Sequence, residues 1–474
     1  MSQSAKSGNI DALHLQPPGE GGRPTLKLLI CAAAAAFVAQ LGARPGLASN
    51  GMEDIGTTVC QIGRGGAYVA TGPDGGAADG NPAALALLEW PEFHLDLRFV
   101  ANNIGYQGGL DAVPHATQRI APSLGYAGPL GRGWAWGAGL RTVGGAEVQF
   151  SSLDLGLSGK PTGNYMTTLG LARRLDERTT VGAAVSYGQM AVDFHFLGDS
   201  VGFNVDGVQG SGEALRLGVY HQATARTALG AVWHSRSHLT AGSGTMTTGT
   251  YTELQGAVFE DVKMRGFNFP ELYAVGLGQQ LGGDWTVYAE WRRLKWDHVI
   301  NTLDFLTAEL EPVQLNLNWK DQDVYVLGTE YRPGGRGGAV WRAGVNYGRS
   351  APRPRGVNPI FPNIQEWHLT AGYEDELTPR WRIAAAAVYA PENSISTLPE
   401  NRYNLLFGGG QPYSVSNEGL QLGLSFIYGI GGRCTDTATA ADEDDTTCDC
   451  GCASGSEDTC ADCVDPAYAA LGSS

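Results

Sequence analysis

Short segments in which apolar and polar residues alternate recur between Pro91 and Ile430. Such alternation, with aromatic residues near the segment ends, is typical of β-strands that bury or shield one face. Fourteen segments follow this pattern, and they begin near Phe93, Ile120, Trp134, Tyr165, Thr179, Glu213, Ala228, Phe269, Trp285, Asp323, Ala339, Glu366, Arg380 and Glu418. The pattern therefore predicts an all-β chain.

The connections between these segments alternate in length. Short turns such as Gly131-Arg132 and Thr378-Pro379 follow the even-numbered segments, and long connections such as 239–265 and 391–417 follow the odd-numbered ones. Short turns on one side and long loops on the other are typical of outer-membrane barrels. An even number of strands also leaves both termini on the short-turn, periplasmic side. We therefore predict a 14-stranded antiparallel transmembrane β-barrel.

The two faces of the predicted strands differ as a lipid-facing wall requires. Trp381, Ile383 and Tyr389 share one face, whereas Arg382 lies on the other. Aromatic residues at both ends of a strand with aliphatic residues between them indicate contact with lipid. The residues predicted to point inward are Arg141, Arg216, Glu290, Arg292, Arg342 and Arg382. A secreted β-sandwich or propeller would also alternate, but it would not explain the loop asymmetry.

Composition narrows the class further. Glycine accounts for 68 of the 474 residues, and only 17 % of residues are charged. Beyond the N-terminus no apolar run approaches the ~20 residues of a membrane helix, which excludes a polytopic helical protein. The net charge of −16 argues against a nucleic-acid partner, which would require a basic surface.

The N-terminal 89 residues contain two different segments. Basic residues, the apolar run 28–39 and small residues up to Ala48 predict a signal peptide over 1–48, and the run is too short for a membrane anchor. Residues 49–89 are rich in glycine and lack alternation. Because the lumen of a 14-stranded barrel is wider than side chains can fill, we predict that 49–89 is a plug inside a barrel of residues 90–433. The alternative is a disordered periplasmic leader.

The C-terminal tail, 434–474, is acidic and rich in cysteine. It carries ten Asp or Glu residues and no Lys or Arg. Its closely spaced cysteines are Cys448, Cys450, Cys452, Cys460 and Cys463. In an exported protein such spacing favours disulfides, while zinc or copper(I) binding and unpaired or otherwise modified thiols are the alternatives. We predict no cofactor. The chain also has no nucleophile elbow, P-loop or H-E-x-x-H motif, so we predict no enzymatic activity.

Several short motifs resemble one known family in their order and spacing. Gly63, Arg64, Asp79 and then Asn81-Pro82-Ala83 resemble the plug segment of the FadL/TodX outer-membrane transporters. Further similar motifs are Pro122 to Tyr126, Phe269-Pro270, Asp284-Trp285-Thr286, Asn318 to Asp321, Arg342 to Tyr347 and Ser350-Ala351-Pro352. The resemblance covers about 51–430. It implies a plugged barrel that transports long-chain fatty acids or other hydrophobic molecules.

The resemblance also implies a route for the cargo. In the family, cargo binds among the outer loops, and a plug rearrangement releases it sideways at a kink in the third strand. Here that kink falls at Gly144 and Gly145, although a glycine pair also suits an ordinary bend. A cargo carboxylate needs a cation, and the inward Arg141, Arg292 and Arg342 are candidates, although inward arginines often pair with Glu across a lumen.

The sequence thus predicts a monomer whose partners are a hydrophobic small molecule, outer-membrane lipid and the barrel assembly machinery. The spacing of Gln421, Gly423, Phe426 and Tyr428 resembles the terminal assembly signal of such barrels. Two other functions remain open. One is a general porin for small hydrophilic solutes, and the other is a surface receptor or adhesin that acts through its loops.

Overall fold

The computed structural model describes residues 49–108, 114–115, 117–143, 148–150, 155–159, 164–197, 200–333 and 338–430. Within these residues fourteen long strands form a closed antiparallel barrel, which confirms the predicted fold class. The predicted signal peptide and the cysteine-rich tail lie outside the described residues and remain predictions.

The strands are β1 Glu92–Gln107, β2 Thr117–Gly131, β3 Trp134–Thr142, β4 Tyr165–Arg174, β5 Thr179–Phe196, β6 Phe203–Thr224, β7 Thr227–His234, β8 Leu272–Leu281, β9 Trp285–Leu294, β10 Gln322–Tyr331, β11 Val340–Gly348, β12 Trp367–Glu376, β13 Trp381–Ser396 and β14 Ser414–Gly429. Each pairs with its neighbours in sequence, and β14 closes the ring on β1, with Tyr428 opposite Phe93. Their starts agree closely with the alternation in the sequence, except that β6 begins ten residues earlier, at Phe203 rather than Glu213.

Several outer connections continue the wall of the barrel away from the short turns. The additional strand segments are Pro114–His115, Val148–Phe150, Leu155–Gly159, Thr240–Thr248, Val258–Arg265, Thr302–Leu306 and Val313–Asn316. The sequence predicted a loop over 239–265, and the structure instead has two paired strand segments there. Thr, Gly and Ser dominate the first of these segments, so it carries little of the apolar alternation that identifies a strand.

Outward-facing aromatic residues lie near both ends of the strands. At the short-turn end Trp285 stacks on Tyr331, with ring centroids 4.6 Å apart. At the opposite end Tyr347 and Trp367 lie 4.4 Å apart. Between the two ends the outer surface is aliphatic, and Leu327, for example, is 57 % exposed. This arrangement is that of a barrel surrounded by lipid.

Helical structure is limited to short pieces. Among the described residues the α-helices are α1 Val59–Gly63 and α2 Tyr403–Phe407, and the 3₁₀ helices are Pro82–Leu87 and Trp296–His298. In the part of the chain that the structure describes, no helix is long and apolar enough to cross a membrane. A short strand pair, Ser49–Asn50 with Glu53–Asp54, precedes α1.

Candidate functional site: the lumen of the barrel

Residues 49–89, which we call the N-terminal segment, contact inward-facing groups on widely separated strands. The Thr180 hydroxyl of β5 donates to the Ala83 carbonyl at 2.8 Å. Arg64 forms an ion pair with Glu330 of β10 at 2.9 Å. Most side chains of the segment are buried. A chain with such contacts on several sides of a closed ring runs through its lumen.

Glycines on the inner wall make room for this segment. A Cβ atom on Gly344 of β11 would lie 2.3 Å from the Gly65 nitrogen, and one on Gly182 of β5 would lie 2.4 Å from the Pro82 carbonyl carbon. Neither distance is possible for a real side chain, so these positions require glycine. Similar approaches occur at Gly218, Gly230, Gly328, Gly372 and Gly423. The glycine content of the strands is therefore explained in part by backbone packed directly against backbone.

The Asn-Pro-Ala motif fixes the middle of the segment. The Asn81 amide nitrogen donates to the carbonyls of Val69 at 2.7 Å and Val219 at 3.1 Å. Its oxygen accepts from the Ala83 nitrogen at 3.1 Å and so caps the 3₁₀ helix Pro82–Leu87. Proline suits the first helical position because the missing N–H would have no partner in the helix. One asparagine thus joins a turn of the segment to β6.

Asp79 is the centre of a buried ionic cluster. Its carboxylate accepts from Arg216 and from the Thr168 hydroxyl, both at 2.7 Å, and from Arg141 at 3.4 Å. Burial favours the neutral form of Asp79, but the Arg216 and Arg141 guanidiniums outweigh it and hold the pKa of Asp79 below its usual range. The segment is therefore tied to β3 and β6 by ion pairs and to β4 by a hydrogen bond.

A second ionic chain crosses β10 to β13. Arg64 and Arg342 both contact Glu330, at 2.9 and 2.7 Å. Arg342 also contacts Glu374 at 2.7 Å, and Glu374 contacts Arg382 at 2.5 Å. Positive and negative groups alternate, so each buried charge has an opposite neighbour, as burial requires.

Arg292 of β9 holds the turn that follows α1. Its guanidinium donates to the Gly66 carbonyl and to Glu290 at 2.8 Å, and it lies 4.2 Å from the centre of the Tyr68 ring. Glu290 in turn accepts from the backbone nitrogens of Tyr68 and Val69, both at 2.6 Å. This single Arg–Glu pair therefore orders Gly66, Tyr68 and Val69 of the segment.

The structure describes the predicted arginines of the site but not the predicted kink glycines. Arg141, Arg292 and Arg342 face the lumen, are buried, and each contact a protein carboxylate. Their contact with a cargo carboxylate stays a prediction. The predicted kink residues Gly144 and Gly145 lie outside the described residues, so their role also stays a prediction.

An aromatic cluster lies in the outer half of the lumen, and sequence reasoning did not single it out. Its members are Phe194, Phe196, Phe203, Phe267, Phe305 and Phe361. Phe196 lies 4.9 Å from Phe203, and Phe194 lies 5.4 Å from Phe305, between ring centroids. The alternating pair Phe194 and Phe196 was the one local signal that could have indicated an apolar inner face.

The aromatic cluster belongs to a larger apolar core that reaches the N-terminal segment. Trp296 and Trp319 of this core pack edge to face at 5.1 Å. A Cβ on Gly51 of the segment would lie 2.8 Å from the Trp296 ring, so segment and core are in direct contact. Apolar side chains therefore extend from the outer strand segments to the N-terminal segment, whose ion pairs with the barrel wall are described above. Within the described ranges no three metal-ligating side chains lie close enough to bind a metal ion.

Residues 56–429 match the family described as outer membrane protein transport protein (OMPP1/FadL/TodX). No curated protein matches the chain. The fold is similar to that of the Pseudomonas putida toluene transporter TodX, with 19 % identity, a TM-score of 0.62, and coverage of 80 % of this chain and 99 % of that one. A Pseudomonas aeruginosa FadL homologue has 15 % identity and a TM-score of 0.64 over 78 % and 98 % of the two chains. The Ralstonia pickettii toluene transporter TbuX has 21 % identity and a TM-score of 0.58 over 79 % and 99 %.

Proposed function

The chain belongs to the outer membrane protein transport protein family (OMPP1/FadL/TodX), and on this premise we propose that it moves hydrophobic small molecules inward by passive diffusion. Its outer-membrane location follows from the family and the barrel fold. We propose that the cargo is a long-chain fatty acid or an aromatic hydrocarbon. The named cargo of two similar structures, toluene, supports the second class.

The observation that carries this proposal is the contact between the apolar core and the N-terminal segment. An alkyl chain gains about 0.8 kcal/mol for each CH₂ group that leaves water, so an apolar lumen binds such cargo without any catalytic group. A porin for hydrophilic solutes needs a polar, water-filled lumen. Four phenylalanines of the aromatic cluster are fully buried, which is the opposite of such a lining.

We propose that the N-terminal segment is a plug. Its ion pairs with β3, β6 and β10 close the lumen below the apolar core, so cargo passes only when part of the segment moves. Sideways release into the membrane at Gly144 and Gly145 is the family's route and is part of this proposal. Both termini would then lie in the periplasm.

A cargo with a carboxylate would bind Arg141, Arg292 or Arg342 by exchange with a protein carboxylate. Such exchange keeps each guanidinium paired, which avoids the cost of an unpaired buried charge. We also propose that the barrel is a monomer in lipid. Its assembly would use the signal on β14 at Gln421 and Tyr428.

Uptake by intact cells tests the proposal. Cells that express the full chain should take up labelled toluene or oleate faster than matched cells without it. Phe194→Ser in the aromatic cluster should reduce uptake at least fivefold. The control Phe93→Ser makes the same change on the outer surface, where the side chain is 38 % exposed, and should leave uptake unchanged.

Conductance separates this proposal from the porin. The purified protein in a planar bilayer should show little steady current because the N-terminal segment fills the lumen. A large and stable conductance, together with uptake no faster than in control cells, would exclude the proposed function.

A further inference from the structure

The hydrogen-bond ladder between β7 and β8 is interrupted at one place. Regular pairing of β7 with β8 ends at His234 opposite Leu272. Farther out, pairing begins again between the outer segments Thr240–Thr248 and Val258–Arg265, at Ala241 opposite Met264. Over the chain between these pairs, 235–240 and 265–271, the described residues form no ladder between the two strands.

Four hydrogen bonds close the interruption, and three of them use side chains. The Ser237 hydroxyl accepts from the Phe269 nitrogen at 2.8 Å and donates to the Asn268 side-chain oxygen at 3.4 Å. The same Asn268 oxygen accepts from the Leu239 nitrogen at 2.7 Å. One backbone bond joins the Ser237 nitrogen to the Phe269 carbonyl at 3.1 Å. The side chains of Ser237 and Asn268 therefore join the two chain segments here, where backbone hydrogen bonds join neighbouring strands elsewhere.

A cavity lies directly behind this interruption. Its volume is about 20 Å³, which is room for a water molecule and not for an aromatic ring. Its walls include Ser235, Phe269 and Pro270 on the side of the interruption and Arg141, Met166 and Arg216 on the lumen side. Ser235 and Phe269 are half-buried, whereas both arginines are buried. The cavity thus lies between the interruption and the two arginines that pair with Asp79.

Some nitrogens of the two arginines in this cavity lack good acceptors, although other nitrogens of Arg141 and Arg216 pair with Asp79. One terminal nitrogen of Arg141 and one of Arg216 donate to the Met166 sulfur, each at 3.5 Å, and a thioether is a weak acceptor. The buried Nε of Arg216 has no partner among the described residues. Buried polar groups are nearly always satisfied, so these donors suit a guest that carries an acceptor oxygen.

Aromatic residues place the interruption at the edge of the membrane. Trp233 and Tyr273, which face each other on β7 and β8, both donate to the Glu271 carboxylate at 2.8 Å. Aromatic side chains with polar tips concentrate at the boundary between lipid and water. The interruption begins two residues beyond Trp233, on the outer side.

We propose that this cavity is the inner end of a side port through the barrel wall between β7 and β8, closed by Ser237 and Asn268. An apolar molecule with an acceptor oxygen would pass through it between the membrane boundary and the lumen. The port is separate from the third strand, and its use rests on the proposed transport function. Opening breaks the four hydrogen bonds that bridge the interruption and leaves the rest of the β7–β8 ladder intact.

Two variants should change transport in opposite directions. Ser237→Ala removes the closing hydroxyl and should raise the uptake rate of acetophenone at least threefold. Ala214→Leu fills the cavity from β6 without removing a charged side chain and should lower the rate at least tenfold. Isopropylbenzene, which has a similar shape but no acceptor, should respond less to Ala214→Leu.

Matched controls use the same strands. Thr227→Ala removes a side-chain bond to Gln279 where the ladder is regular, and Ala231→Leu adds the same bulk on the lipid side of β7. Both should keep wild-type uptake in intact cells, and heat-modifiable gel mobility verifies that every variant folds. If wild-type cells take up both probes and neither Ser237→Ala nor Ala214→Leu changes the rates, the port is refuted while the transport function stands. If wild-type cells take up neither probe nor toluene, the transport function itself fails.

Discussion

Asp79→Ala should release the N-terminal segment from one side of the barrel. The substitution leaves Arg216 without its carboxylate, while Arg141 keeps a weaker contact with Asp54 at 3.5 Å. Breaking a buried ion pair from one side costs about 3–5 kcal/mol, because the remaining charge stays buried. Because Arg141 retains its contact with Asp54, we expect the free energy that holds the segment in the lumen to fall by about 3 kcal/mol, the lower end of this range.

This loss predicts a measurable change in dynamics. About 3 kcal/mol corresponds to a roughly 100-fold larger population of the released segment. Hydrogen exchange followed by mass spectrometry should therefore show roughly 100-fold faster exchange of peptides from residues 74–88. The barrel strands should keep their protection, since their ladders are unchanged.

A surface ion pair provides the control. Asp304→Ala removes a contact with Arg265, which is 65 % exposed, and should change exchange little because exposed pairs contribute about 0–1 kcal/mol. Unchanged exchange over residues 74–88 in Asp79→Ala would show that the Asp79 cluster does not hold the segment, and the reasoning would be wrong.

Three further results are expected. Gly344→Val should displace the segment by steric overlap with Gly65 and raise bilayer conductance, whereas Gly283→Ala, where a Cβ meets nothing within 4 Å, should not. Leu327→Arg places a charge on the lipid face and should reduce the free energy of folding into vesicles by about 2–4 kcal/mol. Because the pKa of Asp79 is lowered in the folded state, its contribution is present above the ordinary carboxyl pKa and is lost as pH falls through the lowered value. Pepsin should therefore cleave the N-terminal segment of the wild-type protein only below about pH 4. In Asp79→Asn, cleavage of the segment should not change across this pH.

The strand number and the facing of the strands could be predicted from sequence because both follow from local alternation. The run from Trp381 to Tyr389 is one example, with an outer aromatic residue at each end and Arg382 pointing inward to Glu374. The outer strand segments could not be predicted in this way. Thr240–Thr248 is rich in small and polar residues, so its sequence lacks the alternation on which the prediction depends.

The lumen was predicted less completely, because its contacts join residues far apart in the chain. The resemblance marked Asp79 and Asn81, but their partners Arg216 and Val219 lie about 140 residues away. Phe194 and Phe361 of the aromatic cluster are likewise brought together only by closure of the barrel. A single sequence carries no local signal for such pairs.

The glycine-lined wall has a consequence for how permeability changes. Where the inner wall carries glycine, no side chain projects into the lumen. If the N-terminal segment left, the lumen would therefore be wider than in a 14-stranded barrel lined by larger side chains. Partial loosening and full departure should then differ sharply, the first admitting slender guests and the second almost any solute. Selection against leakage of solutes across the outer membrane would act on the inner glycines and on the N-terminal segment together.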